Sequence, residues 1–223
     1  MTHLYLTKAP VHALLGREEA AGSARGWDVD SPTFRHRAVM GLFGELEGRA
    51  SAGILFRLDR VAGQAPYFLV QSKIAPEIPE ELTGIEVREV ELPQLAQGQT
   101  VSLRVAVNAV RRKTEEVDGK KKTRVTPVPF DFDEQVTEKN EETVSPWLAR
   151  KLSPALRELE VVNHVRDVLK DPPARGGSKT LLVDIIDAIA VVGENEALAR
   201  LLREGVGREK AYGCGLLSVR GLQ

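Results

Sequence analysis

Cysteine is nearly absent from this chain: among 223 residues, Cys214 alone carries a thiol. An internal disulfide is therefore excluded, and a reducing, cytoplasmic setting is expected. Cys214 stands where a strand begins, which favours burial over nucleophilic chemistry. Long apolar runs are missing as well. No stretch approaches the roughly eighteen apolar residues of a membrane-spanning helix, and no basic segment followed by an apolar core opens the chain. No Gly-Lys-Ser/Thr triplet occurs, so a Walker A phosphate loop is excluded. The four histidines, His3, His12, His36 and His164, form no HxxxH pair, and a single cysteine makes no thiolate set. Neither a metal site nor a cofactor is expected. Asp184 and Asp187 lie in an apolar run that reads as strand, where a three-residue offset puts them on opposite faces. Aromatic residues amount to only 5%, which argues against a sheet that reads RNA by stacking bases. Net charge is −1, so charge excess alone does not point to nucleic acid.

What is present alternates between strand and helix signals. Residues 3–8 read as a strand, and a polar loop over 16–30 follows, long enough to be functional. Ser31 is a good N-cap and Pro32 suits the first helical position. Phe34, Ala38, Leu42 and Leu46, widened by Val39 and Phe43, form the apolar stripe of that helix. Strands are expected at 53–59 and 66–72, a short helix at 77–82, and a strand at 85–92. This β-α-β-β-α-β order is the ferredoxin-like, or RRM-like, unit. After a linker at 93–99 the theme repeats. Leu103, Val105, Val107 and Ala109 alternate with Arg104, Ala106 and Asn108. A helix over 146–156, strands at 159–163 and 181–192, a helix over 194–202 and a strand at 216–219 complete it. The expected architecture is α+β, two tandem ferredoxin-like domains over 1–94 and 100–223.

The C-terminal string Gly205-Val-Gly-Arg-Glu-Lys-Ala-Tyr-Gly-Cys-Gly-Leu-Leu-Ser-Val219 is the most distinctive in the chain. It runs from a helix into a strand, the reverse of a dinucleotide fingerprint, which follows a strand and opens a helix. Gly205 is a natural helix C-cap. Gly205 and Gly207 could present backbone N–H groups to an anion, with Arg208 and Lys210 adding charge. This string resembles the glycine-rich signature of the CasE-type CRISPR RNA endoribonucleases. Other parts match in order: the strand with Leu4, Tyr5 and Leu6, the helix opening Ser31-Pro-Thr-Phe-Arg-His-Arg37, the strand ending Asn108-Ala-Val110, and a helix with Trp147-Leu148. The resemblance covers essentially the whole chain and implies two tandem ferredoxin-like domains. It also implies an enzyme that cuts CRISPR precursor RNA beside its repeat hairpin, with that hairpin and other Cascade subunits as partners.

His36 falls about 200° around the helix axis from Phe34, off the core stripe. Arg35 and Arg37 flank it near a helix N-terminus, and all three effects favour the neutral imidazole. A neutral histidine among cations that can hold a phosphate suits metal-independent RNA cleavage. The resemblance implies that His36 is catalytic, as base or as acid. The reaction so implied uses the 2′-hydroxyl of the RNA as nucleophile, giving a 2′,3′-cyclic phosphate and a 5′-hydroxyl. Members of the family often carry a Tyr three residues before this histidine and a Lys five after it; here Thr33 and Gly41 stand there. The second proton-transfer partner is therefore open.

Charge is concentrated between positions 111 and 124. Arg111, Arg112, Lys113, Lys120, Lys121, Lys122 and Arg124 face only Glu115, Glu116 and Asp118, a local balance of +4 around the turn signal Asp118-Gly119. An acidic run follows, with Asp131, Asp133, Glu134, Glu138, Glu141 and Glu142. The basic segment reads either as a solvated hairpin or as a finger that reaches a phosphate backbone. Two other functions stay open on the sequence alone. One is a non-catalytic RNA-binding or assembly subunit of the same fold, favoured by Thr33 and Gly41. The other is a small-molecule enzyme, which requires a pocket and no basic hairpin.

Overall fold

The computed structural model describes residues 3–15, 28–45, 49–117, 120–132, 142–171 and 180–222. Two four-stranded antiparallel sheets organise the chain. In the first, β1 (Leu4–Pro10) pairs with β3 (Tyr67–Ser72) and β4 (Glu86–Val90), and β2 (Leu55–Asp59) pairs with the far side of β3. In the second, β5 (Thr100–Val107) lies between β10 (Leu217–Gly221) and β9 (Thr180–Val192), with β8 (Leu156–Lys170) at the edge. By position within each unit both sheets have the order 2-3-1-4, that of a ferredoxin-like unit. The fold is two such units in tandem. Strands β6 (Val110–Val117) and β7 (Lys120–Pro127) form a separate two-stranded arm between β5 and the next helix.

Helix α1 (Val11–Leu14) is a single turn after β1, and α2 (Pro32–Met40) covers one face of the first sheet. Phe34, Ala38 and Val39 from α2, with Leu42 and Phe43 just beyond it, pack on Phe56, Leu58, Phe68 and Val70. The apolar stripe is as expected, but α2 stops at Met40 and Gly41 caps it; Leu46 lies outside the described residues. A short turn, α3 (Arg49–Ala52), precedes β2. The helix expected at 77–82 is not formed. Pro79 has no N–H to donate and pushes Ile78 out of helical geometry. Positions 76–79 accordingly run without regular structure to a turn at Glu80 and Glu81.

In the second unit, α4 (Val144–Leu152) and α5 (Asn195–Glu204) pack against the sheet. Val101, Leu103 and Val105 from β5 meet Trp147, Leu148 and Leu152 from α4 and Leu198 and Leu202 from α5. A buried aliphatic side chain contributes about 1.5–3 kcal/mol, so these layers supply the main driving force. Strand β8 runs far beyond the expected 159–163 and forms a long hairpin with β9. Glu158 has φ 54, and the register shifts between Arg157 and Glu160 and again between Val161 and Asn163. These bulges break the period-two pattern.

The two units are tied by polar contacts. Arg57 is 4% exposed and Asp59 2%, and Arg57 Nε donates to Asp59 Oδ1 at 2.8 Å. The Arg57 guanidinium also donates to Ser218 Oγ at 2.8 Å and to the Arg104 carbonyl at 3.3 Å, both in the second unit. Gln71 Nε2 donates to the Leu202 carbonyl at 2.7 Å. Among the described residues, no helix is long and apolar enough to cross a membrane.

Candidate active site

Helix α2 begins with a doubly anchored cap. Ser31 Oγ accepts the Phe34 N–H at 3.1 Å, as an N-cap serine should. The same hydroxyl donates to Asp171 Oδ1 at 2.6 Å. Thr33 donates its N–H to Oδ1 at 3.2 Å and its hydroxyl to Oδ2 at 2.7 Å. Asp171 directly follows β8, so a carboxylate of the second unit sits at the N-terminus of a first-unit helix, where the dipole favours it. Thr33, at the position of the family tyrosine, is committed to this cap.

His36 is half-buried, and the glycine-rich loop lies over it. The loop leaves α5 at Gly205, whose φ of 75 and whose approach to the Gly215 carbonyl and Leu55 leave no room for a side chain. The Val206 N–H donates to the Gly215 carbonyl at 2.8 Å, and the Gly215 N–H to the Ala106 carbonyl at 2.6 Å. Gly215 also bridges to Phe56 of β2, so the loop is stitched to both sheets. A short 3-10 turn, Lys210–Tyr212, carries it across α2. There His36 Nδ1 lies 2.9 Å from the Ala211 carbonyl oxygen. A carbonyl can only accept, so this contact assigns the proton to Nδ1 and leaves the Nε2 lone pair available. The Tyr212 ring lies beside the imidazole, centroids 5.9 Å apart and tilted by 53°. His36 is thus off the core stripe yet held in place, and the holding group is a backbone atom of the other unit.

The structure separates the other expected site residues. Arg37 and Arg208 are exposed, and Gly207 is exposed with open space around it. Two expectations need correction, those for Arg35 and Gly205. Arg35 is 1% exposed: its Nε donates to the Val29 carbonyl at 2.6 Å, and Asp30 and Asp167 neutralise its guanidinium. Burial lowers its pKa, and the coulombic pull of Asp167 and Asp30 opposes that. Arg35 is an internal strut that no phosphate can reach. Gly205 is buried and spends its N–H on the Leu201 carbonyl at 2.8 Å, so it caps α5 and offers nothing to an anion. Lys210 sends Nζ to the Glu204 carbonyl at 2.5 Å, where its charge complements the C-terminal end of α5.

Arg112, Lys121, Lys122 and Arg124 are exposed along the β6–β7 arm, and Arg111 is half-buried with Nε on Thr126 Oγ1 at 3.1 Å. Lys113 and Lys120 stand in the same ladder, paired with Arg124 and Val117; their side chains, the turn Asp118-Gly119 and much of the acidic run lie outside the described residues. So does the polar loop from 16 to 27. The arm's base is fixed by Asp184, fully buried, which accepts from the Ala109 N–H at 3.1 Å, Arg166 Nε at 2.6 Å and His164 Nε2 at 2.8 Å. Asp187, on the other face of β9, takes two bonds from Arg104 at 2.6 and 2.9 Å. Cys214 is fully buried, and burial followed by the nearby Asp184 and Glu209 raises its pKa far above the ordinary thiol value, so it is inert.

Among the described residues, no three His, Cys, Asp or Glu side chains converge to hold a metal ion. Two open grooves, of about 360 and 450 Å3, lie along α5 with the 91–95 linker and on the outer face of the second sheet. His36 lines neither groove.

Comparison with known proteins agrees with this picture. The family model described as CRISPR associated protein matches residues 4–221. The chain is 27% identical over 200 residues to the CRISPR system Cascade subunit CasE of Escherichia coli (strain K12), a match that covers 88% of this chain and 94% of that protein. The fold matches Cas6e from Escherichia coli str. K-12 with TM-score 0.63 at 21% identity, over 98% of this chain and 100% of that one. It also matches Thermus thermophilus Cse3, bound to an RNA representing a pre-cleavage complex, with TM-score 0.62 at 22% identity, over 98% and 99% of the two chains. The family match runs from the first strand to the last, and the chain belongs to the CRISPR associated protein family.

Proposed function

We propose that this protein is a metal-independent endoribonuclease that cuts CRISPR precursor RNA beside the repeat hairpin and keeps the guide RNA within a Cascade complex. The observation that carries the reading is the hydrogen bond between His36 Nδ1 and the Ala211 carbonyl, which leaves Nε2 as an acceptor next to the exposed Arg37. Nε2 takes the proton of the 2′-hydroxyl as that oxygen bonds to phosphorus. The bond from phosphorus to the 5′-oxygen breaks, leaving a 2′,3′-cyclic phosphate and a 5′-hydroxyl. In this reading Arg37, Arg208 and the Gly207 N–H, all exposed, balance charge on the phosphate. The β6–β7 arm supplies Arg112, Lys121, Lys122 and Arg124 to the RNA stem, with shape and phosphates recognised before bases.

His36→Ala should abolish cleavage and leave hairpin binding nearly intact. General acid–base groups contribute ~10²–10⁴-fold in rate, so single-turnover cleavage of a labelled repeat hairpin reads the effect directly. A variant that cuts at the wild-type rate removes His36 from the mechanism. The second reading, a non-catalytic RNA-binding subunit, is favoured by the engagement of Thr33 with Asp171 and by the absence of a side chain at Gly41. It requires that wild-type protein bind the hairpin without cutting it.

A further inference from the structure

A base alone does not complete the cleavage proposed for this site. The 5′-oxygen leaves as an alkoxide unless a second group protonates it. Neither position expected to supply that group can do so: Thr33 gives its hydroxyl to Asp171 at 2.7 Å, and Gly41 has no side chain. Arg35 is buried and bound, and Lys210 is drawn to the C-terminal end of α5. Arginine keeps its proton at any working pH.

A phenol-bearing side chain, Tyr212, stands beside the imidazole. Tyr212 follows Ala211, the residue whose carbonyl fixes His36, and its ring centroid lies 5.9 Å from that of the imidazole. The two side chains are thus set by one segment of backbone. The ring is partly buried against the cluster of Ala106, Leu169, Leu181, Val183 and Cys214, which restricts its rotation. The Glu209 backbone at φ 58 and Gly213 at φ 94 bound the turn that presents it. A loop that holds the α2 imidazole through its backbone and carries a phenol beside it is suited to two proton transfers at one phosphate.

Resting on the function proposed above, we infer that Tyr212 is the general acid of the reaction. His36 Nε2 takes the 2′-hydroxyl proton, the new bond from the 2′-oxygen to phosphorus forms, and the bond to the 5′-oxygen breaks. The Tyr212 hydroxyl gives its proton to that 5′-oxygen. The tyrosinate then takes a proton from water while His36 releases one, which restores both groups.

The test is Tyr212→Phe, which keeps the ring and its packing and removes only the hydroxyl. Cleavage of a repeat hairpin under single-turnover conditions should fall ~10²-fold or more, with unchanged hairpin affinity. A second substrate, with sulfur in place of the 5′-bridging oxygen at the scissile phosphate, leaves as a thiolate and needs no acid. It should be cut by Tyr212→Phe at close to the wild-type rate and should not be cut by His36→Ala. Wild-type cleavage of the oxygen substrate by Tyr212→Phe, or a defect that sulfur does not relieve, overturns the assignment while the nuclease reading stands. Failure of the wild-type protein to cut either substrate overturns the nuclease reading, and this inference with it.

Discussion

Asp171→Ala probes the idea that the second unit holds the helix bearing His36. The carboxylate accepts the Ser31 hydroxyl at 2.6 Å, the Thr33 hydroxyl at 2.7 Å and the Thr33 N–H at 3.2 Å. A hydrogen bond to a charged group contributes ~1.5–3 kcal/mol. The Thr33 hydroxyl is half-buried and can turn to water, so most of its share is recovered, whereas the Ser31 hydroxyl is buried beneath the cap. What remains is the loss of an acceptor and a favourable charge at a helix N-terminus, about 2 kcal/mol, comparable to deleting a good N-cap. For a chain of this size each kcal/mol shifts Tm by ~2–4 °C, so thermal unfolding should fall by about 4–8 °C. Cleavage should suffer beyond that loss. The helix start would shift under His36 while Ala211 stays anchored to the second unit, and a displacement near 1 Å costs ~10²-fold in rate. Asp171→Asn keeps one acceptor oxygen and should fall between the two proteins in both assays. Asp171→Ala with wild-type melting and wild-type cleavage would refute the account of a helix held across the units.

Replacing Lys120, Lys121 and Lys122 together by Ala should weaken hairpin binding and flatten its salt dependence, by roughly 0.7–0.9 in log–log slope for each phosphate no longer neutralised; an unchanged slope means that the arm is only solvated. Asp187 gives a pH signature. Burial alone would raise its pKa, but hydrogen bonds from Arg104 and Asn163 outweigh that and hold it below the ordinary 3.8. A carboxylate depressed on folding contributes stability above its unfolded pKa and loses it as pH falls through the folded value. Asp187→Asn should therefore be less stable than wild type at neutral pH, and urea titrations should show the gap closing below about pH 4; a gap independent of pH counts against the pair.

Several features were legible in the sequence because one residue type does one job. Ser31 and Pro32 mark the start of α2, Gly205 marks the end of α5, and the alternation from Leu103 to Val107 marks β5. The string from Gly205 to Val219 located the loop beside His36. Other features depend on partners distant in the chain. The flanking position of Arg35 suggested a surface cation, but Asp167 and Asp30 carry it into the interior. Gly205 could not both cap a helix and offer its N–H elsewhere, and the cap took it. The bulges of β8 hide a fifteen-residue strand from any period-two reading. The contact that orients His36 comes from the Ala211 backbone, and a carbonyl leaves no trace in residue types. Asp171 had no local signal either, since its partners lie about 140 residues earlier.

The central claim is that the RNA supplies its own nucleophile and the protein only moves protons and balances charge. The direct measurement is the chemistry of the cut ends after single-turnover cleavage of a repeat hairpin in excess EDTA, read by mass spectrometry. The account predicts a 2′,3′-cyclic phosphate on one fragment and a 5′-hydroxyl on the other, with no cutting when the nucleotide before the scissile phosphate lacks its 2′-hydroxyl. A requirement for Mg²⁺, a 5′-phosphate product, or cleavage of the 2′-deoxy substrate would contradict it.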